Sequence, residues 1–269
     1  MNRNRVWAII KKDIRAVAAS KMVLIPLIIV PALLCVLMPT VLVILALKLE
    51  TDIISSVQFI EKLIPLYPVP ESLPGIIDKI LFIFLNYTFI PYLMLVPIMT
   101  SSVIASDSIV GEKERKTLET LLYSPVSNRE FFIAKLFGAF IPAVLISWAG
   151  FAGYFTFVNF FYYLSRETLI IRSWIWAPVM LLLSPSVSLL GLSVTLLVSL
   201  KAKTYMEAQQ MAGIVVLPFV VLIIVQITGL FVLKPLYIFI FSLILAAAGY
   251  LVTAKVAPRF SRESIINTL

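Results

Sequence analysis

Long uninterrupted runs of apolar residues, separated by short charged segments, dominate this chain. The runs lie at about 22–47, 80–106, 131–164, 174–200, 211–233 and 235–257. Each is longer than the roughly 18 residues that an α-helix needs to cross the hydrocarbon core of a bilayer. None shows the alternation of apolar and polar residues that is typical of membrane β-strands. The pattern predicts an all-α, polytopic integral membrane protein with about six transmembrane helices.

The first 21 residues have a different periodicity. Apolar residues recur at helical spacing and form one stripe: Trp7, Ile10, Ile14 and Val17. Lys11, Lys12 and Arg15 lie off this stripe. The segment 1–21 is therefore predicted to form an amphipathic helix on the membrane surface, with its cations near anionic lipid. A basic segment that only directs topology is the alternative.

The composition excludes several classes of protein. The chain is 61% hydrophobic and 13% charged, with a mean hydropathy of +1.05, which is far too apolar for a water-soluble domain. It has no histidine and a single cysteine, Cys35, so Ser-His-Asp, Cys-His and histidine–metal chemistry are excluded. A net charge of +8 would suggest nucleic acid in a soluble protein. In a membrane protein it indicates basic residues on the cytoplasmic face instead.

The distribution of Lys and Arg predicts the orientation. Most basic residues fall in 1–21, in the loop 107–130 with the start of the third run, after the fourth run, and at the C-terminus. Fewer fall on the other side: Lys48, Lys62, Lys79, Arg166, Arg172 and Lys234. Both termini are thus predicted to be cytoplasmic, in a multi-pass protein of the cell membrane. The longest external loop is 48–79, where apolar spacing from Ile53 to Ile64 suggests a short interfacial helix. It is either a connector or part of a gate.

The loop 107–130 carries the densest charge. We expect one short helix from Glu112 to Leu122, because Leu118, Leu121 and Leu122 would share a face. Pro125 would end it. Ser127 and Glu130 fit a capping box that opens the third span. A short helix with an apolar face and a charged rim suits a protein groove, although the leucines could also lie against the membrane.

This loop also carries a sequence signature. Its residues are Glu112, Lys113, Glu114, Arg115, Thr117, Leu118, Glu119, Leu121, Leu122, Pro125, Val126, Ser127, Glu130 and Lys135. The pattern resembles that of permease subunits of type-2 ABC transporters, in the branch of sodium-extrusion-type and copper-maturation-type permeases. Lys116 and Ala134 stand where glycine is common in that branch. Since a helix tolerates Lys better than Gly, Lys116 is expected to be compatible with function.

Weaker similarities extend over most of the chain. The basic start, the second cytoplasmic loop with Lys203 and Glu207, and the Phe-Ser-Arg-Glu sequence at 260–263 are similar to the same family. The resemblance implies a single permease domain over 1–269 and two six-span permeases, here a homodimer. It also implies two copies of a separate ABC ATPase subunit, which would hold ATP and magnesium. Export is implied too, with residues 112–122 as the coupling helix.

The chain itself is not expected to bind a cofactor, a metal or nucleic acid, or to act as an enzyme. A phosphate-binding loop needs a Gly-Lys pair, and none of the nine glycines is followed by lysine. The spans are nearly free of ionisable groups, which disfavours a secondary transporter. They also offer no paired carboxylates for an intramembrane enzyme. A non-transporting membrane assembly protein is a further alternative.

Three amides lie at depth in the spans, namely Asn86, Asn159 and Gln226. Such residues hydrogen-bond between helices more often than they line a pathway, and both interpretations are open. An apolar pathway suits a lipophilic drug, lipid or peptide, whereas the sodium-type resemblance points to an ion. The sequence therefore does not identify the transported substrate.

Overall fold

The structure is a computed structural model that describes residues 3–48, 64–117, 126–228 and 234–259. Helices dominate these ranges, and no strand occurs within them. A surface helix, α1 (Arg3–Ala19), comes first. Six further helices are long and apolar enough to cross a bilayer: α2 (Lys21–Lys48), α3 (Ile76–Glu114), α4 (Asn128–Arg166), α5 (Trp176–Ser199), α6 (Tyr205–Gln226) and α7 (Pro235–Val256). The predicted all-α fold with six membrane helices is confirmed.

The apolar core divides into two halves along the bundle. One half contains residues from α1, the end of α3 and the start of α4, together with Val256 at the end of α7. It therefore lies on the side of the bundle where the chain starts and ends, which we call the termini side. The other half, on the opposite side, surrounds the first half of α3 and includes Tyr154 and Trp176.

Large apolar side chains cover the outer surface of the bundle. In α2, buried Val23, Leu27 and Cys35 follow one face, while Ile28 and Ile29 are more than half exposed on the other. In water this surface would be strongly unfavourable, because each apolar side chain gains free energy when it leaves water. The exposed apolar belt is explained if lipid covers it.

α3 is the most buried of the six helices, and π-helical turns interrupt it at Phe84–Thr88 and Asp107–Gly111. Such turns disturb the regular backbone ladder and leave carbonyl groups that need other donors. The Tyr154 hydroxyl of α4 donates to the Leu85 carbonyl at 2.7 Å. The Trp148 indole, also on α4, donates to the Met180 carbonyl in the π-turn of α5 at 3.0 Å. Aromatic donors of α4 thus satisfy irregular turns in both neighbours.

α1 packs against the bundle with a different face from the one predicted. Its buried residues are Val6, Ile9, Ile10, Asp13 and Val17. Trp7 is 59% exposed, and Ile14 is only partly buried. Of the predicted apolar stripe, Ile10 and Val17 are buried against the bundle, because contact with α4 selects the packed face. The placement of the stripe on the membrane surface stays a prediction.

The long loop 48–79 is described only from residue 64 onward, so the proposed helix from Ile53 to Ile64 lies almost wholly outside the described residues. A short 3₁₀ turn occupies Ile64–Leu66. α3 begins at Ile76, earlier than the predicted start at residue 80. The Arg172 guanidinium donates to the Ser72 hydroxyl at 2.7 Å and so connects this loop to the segment between α4 and α5.

Candidate functional site

The signature residues Glu112–Arg115 stand at the end of α3, and we call these four residues the terminal motif. The first of them, Glu112, is buried between two lysines. Its Oε2 accepts a hydrogen bond from the Lys135 ammonium at 2.6 Å, and its Oε1 accepts one from Lys12. Lys135, in the second turn of α4, is completely inaccessible to solvent. The carboxylate of Glu112 therefore joins α1, α3 and α4.

Asp13 of α1 completes a group of four charges: Lys12, Asp13, Glu112 and Lys135. We call it the buried charge cluster; its other three members are buried, and the Lys12 side chain is 43% exposed at its edge. The Lys135 Nζ lies 3.2 Å from Asp13 Oδ2, and the Ser108 hydroxyl donates to the same oxygen at 3.3 Å. The charges of the two cations and the two anions cancel, so the group has no net charge. Burial of ions is tolerated only when charge and hydrogen-bonding capacity are both matched in this way.

Local sequence allows this close approach. A Cβ on Gly138 of α4 would lie 3.3 Å from the Asp13 carboxylate, so a bare backbone here leaves room for α1. The Lys135 ammonium also lies 5.7 Å above the Phe131 ring, a favourable cation–π distance. Burial opposes the charged form of Lys12, but Glu112 and Asp13 outweigh it, so the pKa of Lys12 is raised. The two carboxylates thus stabilise the charged form of Lys12.

The next two residues of the terminal motif reach two other helices. The Lys113 ammonium donates to the Ser199 carbonyl, at the C-terminal end of α5, at 3.5 Å. Glu114 Oε1 accepts from the Tyr205 backbone amide, at the N-terminal end of α6, at 3.0 Å. A cation at a helix C-terminus and an anion at an N-terminus both complement the helix dipole. Charge of each sign is therefore placed at the helix end that favours it.

Arg115 turns back onto its own helix. Its guanidinium donates to Asp107 Oδ1 at 2.9 Å, and this hydrogen bond raises the pKa of Arg115. Gly111 lies beneath the pair, where an added Cβ would be only 2.4 Å from the same Asp107 oxygen. The pair can therefore form over the π-helical turn only because position 111 has no side chain.

α3 ends immediately after the terminal motif. Lys116 adopts φ 55°, in the left-handed region that favours glycine. The Thr117 amide and hydroxyl then both donate to the Glu112 carbonyl, at 3.0 and 3.3 Å. The predicted single helix from Glu112 to Leu122 is therefore wrong, since Glu112–Glu114 is the last turn of α3. The expectation that Lys116 belongs to a helix is wrong for the same reason, and its conformation explains why glycine suits this position.

The whole chain was compared with families of known proteins. A family model described as ABC-2 family transporter protein matches residues 7–258. The chain belongs to the ABC-2 transporter family. No curated protein gives a significant match. The chain is thus a multi-pass membrane subunit, a permease of an ABC transporter, and subunits of this family generally have no enzymatic activity and work with an ABC ATPase.

Five signature residues of this ABC-2 permease lie outside the described residues: Leu118, Glu119, Leu121, Leu122 and Pro125. In the second loop, Thr204 caps α6 by accepting from the Glu207 amide at 3.2 Å. Glu207 Oε2 in turn accepts from the Lys203 amide at 2.7 Å. With Glu114, the Thr204 and Glu207 side chains accept hydrogen bonds from three backbone amides at the start of α6, those of Lys203, Tyr205 and Glu207. The first amides of a helix need such acceptors because they have no partner within the helix. Glu207 therefore has a capping role, and the Lys203 side chain is exposed.

Two of the three amides at depth in the permease hold the segment that follows α4. Asn159 Oδ1 accepts from the Ile170 and Ile171 amides at 3.1 and 2.9 Å. Asn86 donates to the Ile170 carbonyl at 3.1 Å and accepts from the Trp176 indole at 3.3 Å. Gln226 is 1% exposed, and neither of its amide atoms has a hydrogen-bond partner within the described ranges. Asn86 and Asn159 thus hold the backbone by hydrogen bonds, whereas Gln226 is buried without a side-chain hydrogen bond in the described part of the chain.

A further buried acid lies on the opposite side of the permease. Asp78 is fully buried near the start of α3, and its Oδ1 accepts from the Tyr162 hydroxyl at 2.9 Å and from Arg166 at 3.1 Å. Buried charges therefore occur near both ends of the bundle, while its middle is neutral. Within the described residues, no group of three or more acidic, Cys or His side chains is arranged to hold a metal ion.

Sequence reasoning gave no site role to Asp13 or Asp78. It placed Lys12 among the cations near lipid, and it named Lys135 as part of the signature without a partner. For Asp13 a signal was present, because it lies three residues after Ile10 and four before Val17, on the face that packs. A carboxylate on that face requires a buried cation. The hint for the partner of Asp13 was Lys135, a lysine within the apolar sequence of α4.

Proposed function

We propose that this chain is the permease of an ATP-driven exporter. It would act as a homodimer with two copies of a separate ATPase, which hold ATP and magnesium. Both termini would lie in the cytoplasm. The observation that carries this proposal is the terminal motif, which joins the end of α3 to α1, α4, α5 and α6 through Glu112, Lys113 and Glu114.

The terminal motif gives a mechanism for coupling. The segment that follows it, 118–125, carries the leucines proposed to dock into the ATPase. A displacement of this segment would pull on Glu112, Lys113 and Glu114, and through them on α1, α4, α5 and α6. Packed helices shift as rigid elements rather than deform continuously, so a small movement at the loop would be passed into the bundle.

The distribution of charge supports a primary transporter. Within the described residues the middle of the bundle contains no Asp, Glu, Lys or Arg side chain, whereas ion-coupled carriers usually keep acidic or basic groups there. Secondary transport and a non-transporting assembly role are the competing proposals. An ATPase that co-purifies with the chain, and whose hydrolysis responds to substrate, would exclude both of them.

The neutral interior also supports a lipophilic substrate, such as a drug, lipid or apolar peptide. The resemblance of the loop signature to sodium-extrusion-type permeases favours an ion as the substrate instead. A transport assay in vesicles that depends strictly on one inorganic cation would favour the branch prediction and exclude the lipophilic class.

The coupling experiment compares Leu118→Asp with the conservative control Leu118→Ile. If Leu118 docks in an apolar groove, the aspartate loses about 1.5–3 kcal/mol of burial. It also buries an unpaired carboxylate, at a further cost of about 1–3 kcal/mol. Affinity for the ATPase should fall roughly a hundredfold or more. Pull-down and ATP hydrolysis in liposomes measure this, and unchanged values for Leu118→Asp would show that the loop is only a connector.

A further inference from the structure

The solvent-facing side of α1 presents a row of residues that the buried charge cluster does not use. Arg3, Trp7, Lys11 and Arg15 are spaced four residues apart, so they share one face of the helix. All four are exposed, and Trp7 is exposed by 59%. We call them the outer row. Its three cations surround a single aromatic side chain.

The outer row has charge of one sign only. Asp13 is the one acidic residue of α1, and it is buried on the other face, paired with Lys135. Arg3, Lys11 and Arg15 have no acidic partner within the described residues. Within the described residues the acid of α1 is matched and these three cations are not, so a negative partner for this face has to come from outside those residues.

The position of α1 identifies that partner. Its buried face belongs to the core on the termini side, and α2 begins at Lys21, after only Ser20. Met22 and Ile25 of α2 are already more than half exposed, as lipid-facing residues are. Arg15, at the end of the outer row, is therefore about two helical turns before the start of α2. At such a boundary indole rings and basic side chains meet lipid headgroups.

We propose that the outer row of α1 is a binding surface for the headgroups of anionic phospholipid. The phosphates would pair with Arg3, Lys11 and Arg15, and the Trp7 indole would insert at the headgroup level. Lys12 is not part of this surface, since its ammonium is held by Glu112. The inference requires that the chain spans a bilayer, but it does not depend on coupling to an ATPase.

The test measures which lipid lies next to α1 in the full-length chain. A fluorophore is attached to Ala8→Cys in a Cys35→Ala background, because Ala8 is exposed beside Trp7. The chain is reconstituted into phosphatidylcholine vesicles with phosphatidylglycerol in both leaflets, so orientation does not matter. A small fraction of either lipid carries a headgroup spin label, and the ratio of the two quenching efficiencies reports local enrichment.

Phosphatidylglycerol should quench more strongly than phosphatidylcholine, and the ratio should approach one at high salt. Lys11→Glu with Arg15→Glu should lower the enrichment by about fivefold for each cation removed. Lys201→Glu with Lys255→Glu changes the charge equally on the same side, outside α1, and should leave the ratio unchanged. If a variant folds poorly, the salt dependence of the quenching ratio in the wild-type chain still tests whether the enrichment is electrostatic.

Three outcomes would overturn the proposal. The first is a ratio of one in the wild-type chain at low salt, and the second is an equal loss of enrichment in the control variant. The third is an unchanged ratio in Lys11→Glu/Arg15→Glu together with loss of ATPase pull-down, which would make the outer row a protein-docking surface. Failure of pull-down in every variant, with normal lipid enrichment, would contradict only the proposed function.

Discussion

The Lys135 ammonium of α4 lies 2.6 Å from Glu112 Oε2 of α3, in a position that solvent does not reach. A charge in such a place depends on its partner, because removal of one member leaves the other ionised and unpaired in the interior. Breaking a buried pair in this way typically costs about 3–5 kcal/mol.

We therefore predict that Glu112→Gln and Lys135→Met each lower the thermal unfolding midpoint of the permease in detergent substantially. The double variant Glu112→Gln/Lys135→Met should be less destabilised than the sum of the two single changes, since neither charge is then left alone. Glu71→Gln, at an exposed position, is the control and should have little effect. Simple additivity of the two changes would show that they do not interact.

The close approach at Gly111 makes a second prediction. Gly111→Ala would place a methyl group 2.4 Å from Asp107 Oδ1, so the Asp107–Arg115 pair must move. Such overpacking costs about 1–3 kcal/mol. Gly213→Ala is the matched control, because a Cβ there meets nothing within 4 Å. It should be neutral or stabilise the chain by up to about 1 kcal/mol. Equal unfolding midpoints for the two variants would contradict the prediction.

The contact between Glu114 and Tyr205 predicts a local effect at α6. The Glu114 carboxylate accepts a hydrogen bond from the Tyr205 amide at 3.0 Å. Glu114→Gln removes its negative charge from the N-terminus of α6, and this loss should destabilise the helix end by about 1 kcal/mol. Hydrogen–deuterium exchange should become faster in peptides that cover 203–212. Peptides from the start of α4, such as 128–136, serve as the internal control and should be unchanged. Unchanged exchange in 203–212 would show that this carboxylate does not cap α6.

The orientation is tested by chemical labelling. In a Cys35→Ala background, an impermeant thiol reagent added to intact cells should label Glu71→Cys but not Lys201→Cys. Both positions are exposed and lie on opposite sides of the bundle. After permeabilisation both should react, which controls for accessibility. Labelling of Lys201→Cys alone in intact cells would place the termini outside.

The six membrane helices could be predicted from sequence because the length of an apolar run is a local property. The same holds for the capping box at the start of α4, where Ser127 and Glu130 bond to each other's backbone amides across one turn. Local patterns of this kind require no knowledge of what lies elsewhere in the chain.

The terminal motif was predicted as a sequence signature, but its role was not. Glu112 was placed on a solvated rim because the local pattern from 112 to 122 is helical and charged. Its two partners are 100 and 23 residues away along the chain. Long-range pairing of charges leaves no periodic trace, so neither the burial of Glu112 nor the end of the helix at Lys116 could be inferred from spacing.

The neutrality of the buried charge cluster restricts how this protein can change during evolution. A substitution that removes or reverses one of its four charges leaves a net charge in the interior, and a second substitution within the group restores the balance. Among relatives, positions 12, 13, 112 and 135 should therefore vary in concert. An exchange that places an acid at 135 should be accompanied by a base at 13 or 112, and such paired substitutions would reveal the contact between α1, α3 and α4 from sequences alone.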